Sequence, residues 1–292
     1  MEARPQDLGL AASHEILMPR EQSLPLVLSS PHSGDRYPRD FLAASRLDPL
    51  MLRRSEDSFV DELFEAAPRM GAPLLRALFP RAYVDPNREP YELDPGMFED
   101  ELPGYANTRS PRVAVGLGTI PRVVANGANI YDEKLVFSEA LSRLRTHYWP
   151  YHTALGGLID RTKSRFGYCV LVDCHSMPSA ARENGGFQSR VDIVLGDCHG
   201  GTCAPTVADT AVRALKAMGY LVARNRPYAG GHVTRHYGRP RQGVHAIQIE
   251  INRALYMDET RIRPNSGMAR IARDMQQLMA MLGAIDEGLL RA

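Results

Sequence analysis

The sequence predicts an α/β fold: a mixed, mostly parallel central sheet with helices on both faces. Two observations carry this. Apolar runs of strand length alternate with longer stretches whose apolar residues recur at steps of three and four, the pattern of a sheet covered on either side. Polar residues able to do chemistry directly follow the apolar runs, and in open α/β sheets ligands gather beyond the strand ends. The chain of 292 residues is ample for a buried core. It shows no repeat, low-complexity tract or linker, so residues 1–292 are expected to form one domain.

Leu24 to Ser30 is an apolar run that stops at Ser-Ser-Pro-His-Ser-Gly, a strand ended by a turn that Pro31 and Gly34 punctuate. His32 thus falls just past a strand end. Within Asp57 to Arg69, the residues Phe59, Val60, Leu63, Phe64 and Ala67 keep helical spacing, with Ser55 and the acidic Glu56-Asp57 at its start; an amphipathic helix is expected. Leu74 to Phe79 and Ala82 to Val84 read as strand pieces before Asp85-Pro-Asn-Arg88, and 94–110 reads as a long loop able to cover a site. Phe137, Leu141, Leu144, Tyr148, Tyr151, Leu155 and Leu158 form an apolar stripe on a long helix that Pro150 should kink or interrupt. Tyr168 to Asp173, Asp192 to Leu195, Tyr220 to Arg224 and His245 to Ile251 are expected strands. A helix over Val207 to Met218 separates two of them, and a final helix carries Met268, Ile271, Met275, Leu278 and Leu282.

Charge excludes one class of partner. Lys and Arg total 35 against 34 Asp and Glu, so the field that would hold a nucleic-acid backbone is missing. No apolar run reaches the roughly 20 residues needed to cross a bilayer. The first residues, with Glu2, Arg4, Pro5 and Asp7, lack the basic head and apolar middle of a secretion signal, and a cytoplasmic location is expected. Cys169, Cys174, Cys198 and Cys203 sit as two pairs of equal spacing. Residues five apart on a strand point to opposite faces, so the first pair does not suit one ion, and buried thiols are expected. A rival reading makes Cys203 a nucleophile with His199 as its base.

Four segments follow strand-like runs with reactive groups: Pro31-His32-Ser33-Gly34, Asp85-Pro86-Asn87-Arg88, Asp173-Cys174-His175-Ser176-Met177 and Gln248-Ile249-Glu250-Ile251-Asn252. Two histidines from separate strand ends plus one carboxylate make the open three-ligand set of catalytic zinc. Asp57 is a sensible carboxylate, with Glu56 the neighbour it must be told apart from. In the last segment Gln248 and Glu250 share one face and Ile247, Ile249 and Ile251 the other. A glutamate there can take a proton from water and hand it to a leaving amine. Arg88 can grip a carboxylate through two parallel hydrogen bonds, which points to a substrate with a free acid.

The combination of Ser30-Pro-His-Ser-Gly34 with Tyr37-Pro38, Glu56-Asp57 with Val60-Asp61, Asp85-Pro-Asn-Arg88, Pro150-Tyr-His152, Asp173-Cys-His-Ser-Met177, Gly230-Gly231 and Gln248-Ile-Glu-Ile-Asn-Arg253 before Leu255-Tyr-Met257 resembles the N-formylglutamate amidohydrolase family. The likeness runs over about residues 25–257. It implies the zinc-carboxypeptidase and aspartoacylase-like branch of α/β folds (phosphorylase/hydrolase-like). The implied activity is hydrolysis of an N-acyl amino acid, typically N-formyl-L-glutamate to formate and glutamate in histidine breakdown. It further implies one Zn2+ held by His32, Asp57 and His175, Glu250 as general acid and base, and Asn87 with Arg88 on the substrate carboxylate.

Two departures are visible. Pro86 stands where the family often has Leu. Asp35 lies three residues after the first histidine, the place of the acidic ligand in the carboxypeptidase pattern, so Asp35, Glu56 and Asp57 all stay candidates. Arg112, Arg122, Arg235 and Arg253 are open candidates for a second carboxylate or the developing oxyanion. The expected partner is a small N-acyl amino acid. An amidohydrolase of other specificity and a carboxylate-binding protein without turnover are the alternatives.

Overall fold

The computed structural model describes residues 12–124, 127–179 and 191–291. Its main sheet contains β1 (His14–Leu17), β2 (Leu26–Ser30), β3 (Leu74–Ala77), β4 (Cys169–Met177), β5 (Ile193–Gly196), β6 (Val222–Arg224) and β7 (Val244–Asn252), in the order β1-β3-β2-β4-β7-β5-β6. The neighbours β3, β2, β4 and β7 are parallel. β5 is antiparallel to β7 and carries a parallel β6, while β1 is antiparallel to β3. The C-terminal ends of β2, β4 and β7 therefore meet at one edge. The helices that matter here are α1 (Val60–Leu63), α2 (Trp149–Phe166), α3 (Pro205–Ala217), α4 (His232–Tyr237) and α5 (Met268–Gly283). Glu2, Arg4, Pro5 and Asp7 lie outside the described residues, among which no helix is long and apolar enough to cross a membrane.

Strand alternation creates two unlike faces. Leu28, Val172, Ile249 and their neighbours at steps of two pack against α1, α3 and α5, including Leu63, Leu215 and Met275. Val27, Leu171 and Ala246 pack on the other face against Tyr151, Leu155 and Leu158 of α2. Towards the strand ends this second face turns polar. Ser29 is in register with Asp173, Asp173 with Gln248, and His175 with Glu250. The Tyr151 hydroxyl lies 2.8 Å from Ser29 Oγ, at the boundary between apolar core and polar end. Gln248 and Glu250 on this face are both buried.

Several expected elements differ in detail. The helix expected over Asp57 to Arg69 is two single turns, α1 and Ala67–Met70. Phe59 takes a left-handed φ of 66° at the N-cap of α1, and Pro68 can occupy only the first turn of a helix. Ala82 to Val84 forms a turn, not a strand. The stripe from Phe137 runs through Phe137–Arg143, a π-helical stretch Leu144–Tyr148, and α2. The interruption falls one turn before Pro150, whose missing N–H cannot serve the preceding turn. β1 was not expected. β4 continues to Met177, which places His175 inside the strand.

All four cysteines are free thiols; Cys169, Cys174 and Cys203 are buried and Cys198 partly so. Cys169 and Cys174 lie in the cores on opposite faces of the sheet.

Candidate active site

The Pro-His-Ser-Gly turn is bound to the Asp57 segment before any ligand is considered. The Asp57 N–H donates to the His32 carbonyl at 3.0 Å. Ser33 Oγ donates to the Asp57 carbonyl and accepts from the Asp61 N–H. Gly34 allows this packing, because a Cβ there would stand 2.2 Å from the Phe79 carbonyl oxygen. His32 and Asp57 are thereby fixed beside His175, which β4 supplies.

The three side chains converge. Asp57 Oδ2 lies 3.2 Å from His32 Nδ1 and 3.0 Å from His175 Nδ1, and one ligand atom from each residue falls within 4.8 Å of the others. All three residues are buried. The far side of each ring is held by its own carboxylate: His32 Nε2 by Asp85 at 2.8 Å and His175 Nε2 by Asp173 at 3.0 Å. With Nε2–H donated outward, both Nδ1 lone pairs face the Asp57 oxygen, an arrangement that is stable only with a proton or a cation between them. A tetrahedral site with bonds of about 2.0–2.1 Å has donor–donor edges of about 3.3 Å, so these residues fit a divalent ion.

A proton in that place has its own electrostatic signature. Burial alone would raise Asp57, yet hydrogen bonds from His175 and His32 outweigh it and hold the carboxyl well below the usual range. Burial opposes charge on His175, but Asp173 and Asp57 push it well above the ordinary imidazole value. Asp57 Oδ1 accepts from Ser176 Oγ at 3.3 Å and from Arg253 Nη2 at 3.1 Å, which leaves Oδ2 for the triad.

His32 and His175 line a cavity of about 440 Å³ together with Glu250, Arg88 and Asn87. Burial raises Glu250 to about 7, with Asp57 adding to the rise and His175 opposing it. Gln248 Nε2 donates to Glu250 at 2.7 Å, while Gln248 Oε1 accepts from the Gly231 N–H at 2.6 Å. Arg88 spends Nε on the Leu117 carbonyl and one Nη1 hydrogen on the Asn87 carbonyl. Burial and the neighbouring Arg112 and Arg81 draw it down to about 10, against the pull of Asp85. Asn87 Oδ1 accepts from the Val233 N–H at 2.7 Å, and its amide nitrogen is 3.0 Å from His175 Nε2. Asn87 therefore also anchors α4. Gly231 is the reason it fits, since a Cβ there would meet the Asn87 side chain at 2.3 Å.

Among the acidic candidates only Asp57 reaches the histidines. Glu56 is taken by Tyr37, Arg53 and Ser58, and Asp35 is exposed. Of the four open arginines, Arg112 lines the cavity and Arg253 braces Asp57. Arg122 is turned to Asp94 and Asn129, and Arg235 is exposed. Burial pushes the Cys203 thiol up to about 12, so it stays protonated and is a poor nucleophile.

Sequence reasoning did not assign roles to Asp85, Asp173, Arg81 or Tyr228. The first two carried a signal, because Asp173 and His175 are two apart on a strand and must share a face. Arg81 and Tyr228 line the cavity from irregular segments with no periodicity to betray them.

Strand-end histidines and an aspartate gathered in an α/β sheet, opposite a glutamate of raised pKa, define a metal-dependent hydrolase. Comparison with known proteins agrees: residues 24–257 match the model of the N-formylglutamate amidohydrolase family. The chain belongs to this family. It is 30% identical over 250 residues to the N-formylglutamate deformylase of Pseudomonas putida, covering 84% of this chain and 86% of that one. It is 32% identical over 249 residues to the N-formylglutamate deformylase of Pseudomonas aeruginosa, with the same coverage of 84% and 86%. The crystal structure of N-formylglutamate amidohydrolase from Ralstonia eutropha superposes with a TM-score of 0.87 at 40% identity, over 96% of this chain and 99% of that one.

Proposed function

We propose that the protein is a single-domain, cytoplasmic enzyme of histidine breakdown that hydrolyses N-formyl-L-glutamate to formate and L-glutamate. In this reading His32, Asp57 and His175 hold one Zn2+. The observation that carries it is the convergence of two imidazole nitrogens and one carboxylate oxygen within 4.8 Å, all buried. When bound, such an ion lowers the pKa of a water and polarises an acyl oxygen.

The chain's own residues do the rest. Glu250, buried and poised near 7, takes the proton of the attacking water as the oxygen–carbon bond forms. It then returns that proton to the amide nitrogen as the carbon–nitrogen bond breaks, which lets the amine leave neutral. Arg88, fixed by two backbone carbonyls, keeps N–H groups free for the substrate carboxylate. Asp85 and Asp173 hold the imidazole rings in the tautomer the ion requires.

The test is release of the free amino acid from N-formyl, N-acetyl and N-carbamoyl amino acids before and after chelation. N-formyl-L-glutamate is expected to be the best substrate. Chelation is expected to abolish its turnover, and one equivalent of Zn2+ to restore it. Undiminished turnover by fully demetallated protein would contradict the proposal.

A further inference from the structure

The cavity carries more positive charge than its own acids neutralise. Asp85 is shared among His32, Arg81 at 2.8 Å and Arg88 at 3.5 Å. Glu250 is bound to Gln248. Arg112 also lines the cavity. It is exposed, and among the described residues no carboxylate pairs with it.

Arg112 is not a stray surface residue. It sits in the short helix Pro111–Ala114, which Ser110 caps through the Val113 N–H. The Arg112 carbonyl accepts from the Leu117 N–H at 2.8 Å, and the Leu117 carbonyl accepts from Arg88 Nε at 2.8 Å. One residue thus ties both arginines to the same wall. Two cations held this way repel each other unless an anion lies between or before them. Leu117, Pro121 and Val123 also line the cavity and offer apolar surface that suits methylene groups.

We infer that Arg112 is the specificity-determining residue of this site, reading the second carboxylate of an acidic N-acyl amino acid while Arg88 takes the first. The inference rests on the hydrolase reading above and extends it to substrate choice. A ligand with one carboxylate satisfies Arg88 alone. A ligand with two also satisfies Arg112, and a neutral amide in place of the second acid does not.

The experiment compares N-formyl-L-glutamate with N-formyl-L-glutamine, which has nearly the same shape but lacks the second charge, in wild type, Arg112→Gln and Arg112→Lys. A hydrogen-bonded charge contact is worth about 10- to 100-fold. Wild type should prefer the glutamyl compound by at least that factor in kcat/KM. Arg112→Gln should lose most of the preference through KM of the glutamyl compound, leaving the glutaminyl compound within about twofold. Arg112→Lys should recover part of it, because it restores the charge without the fork.

Calorimetric binding of L-glutamate and L-glutamine to the same three metal-loaded proteins gives a readout independent of turnover. If neither N-formyl compound is cleaved, the hydrolase reading fails. If wild type shows no preference for L-glutamate, or Arg112→Gln retains it or weakens both ligands equally, the role of Arg112 is overturned.

Discussion

Glu250→Gln should lower kcat by about 10²- to 10⁴-fold while metal content stays at the wild-type level. Gln has the shape of Glu and can still meet Gln248, so the fold loses little, but it cannot carry a proton from water to nitrogen. The pH dependence gives the sign. Glu250 acts as a base only when ionised, and burial raises its pKa to about 7, so kcat/KM rises with pH through an acid limb. A cation in the triad favours the ionised form and draws that limb downward. The wild-type limb should therefore fall at or below about 7, and it should vanish in Glu250→Gln. Persistence of the same limb in the variant would assign it to another group.

His175→Ala should lose both the metal and the activity. The imidazole supplies one of three donors and separates Asp57 from Asp173, with contacts of 3.0 Å to each. Its removal leaves two buried carboxylates facing an empty space. Losing a residue that merely orients a ligand weakens metal binding by about 10- to 100-fold, so losing a ligand itself should exceed about 100-fold. Metal content after gel filtration and far-UV circular dichroism check this together. Full metal occupancy in a folded His175→Ala protein would refute the assignment of His175.

The parts of this molecule that were legible in the sequence are those with a period. The apolar runs and three-and-four spacings located β2, β4, β7, α2, α3 and α5. The two-residue alternation of β7 put Gln248 and Glu250 on one face and the isoleucines on the other, as found. The C-terminal ends of the parallel strands β4 and β7, the turn after β2 and the loop at 85–88 bring His175, Glu250, His32, Asn87 and Arg88 to one cavity.

What was not legible depends on contacts between irregular segments. The turn at Phe59 and Pro68 broke an expected helix and left Asp57 in a buried loop. That loop reaches the histidines through the Asp57 N–H bond to the His32 carbonyl. No spacing in the chain announces such a contact, and for that reason Asp35, Glu56 and Asp57 could not be separated beforehand. That Arg112 lines the cavity and Arg122 and Arg235 do not was likewise illegible, since a guanidinium in a loop looks the same in sequence whether it faces a cavity or bulk water.

The central claim is that His32, Asp57 and His175 bind one divalent ion. X-ray absorption at the metal edge of the purified enzyme tests it most directly. The claim predicts one equivalent of metal with two imidazole nitrogens and only oxygen donors besides, at about 2.0–2.2 Å. A sulfur shell near 2.3 Å, or a spectrum with no imidazole scattering, would contradict it.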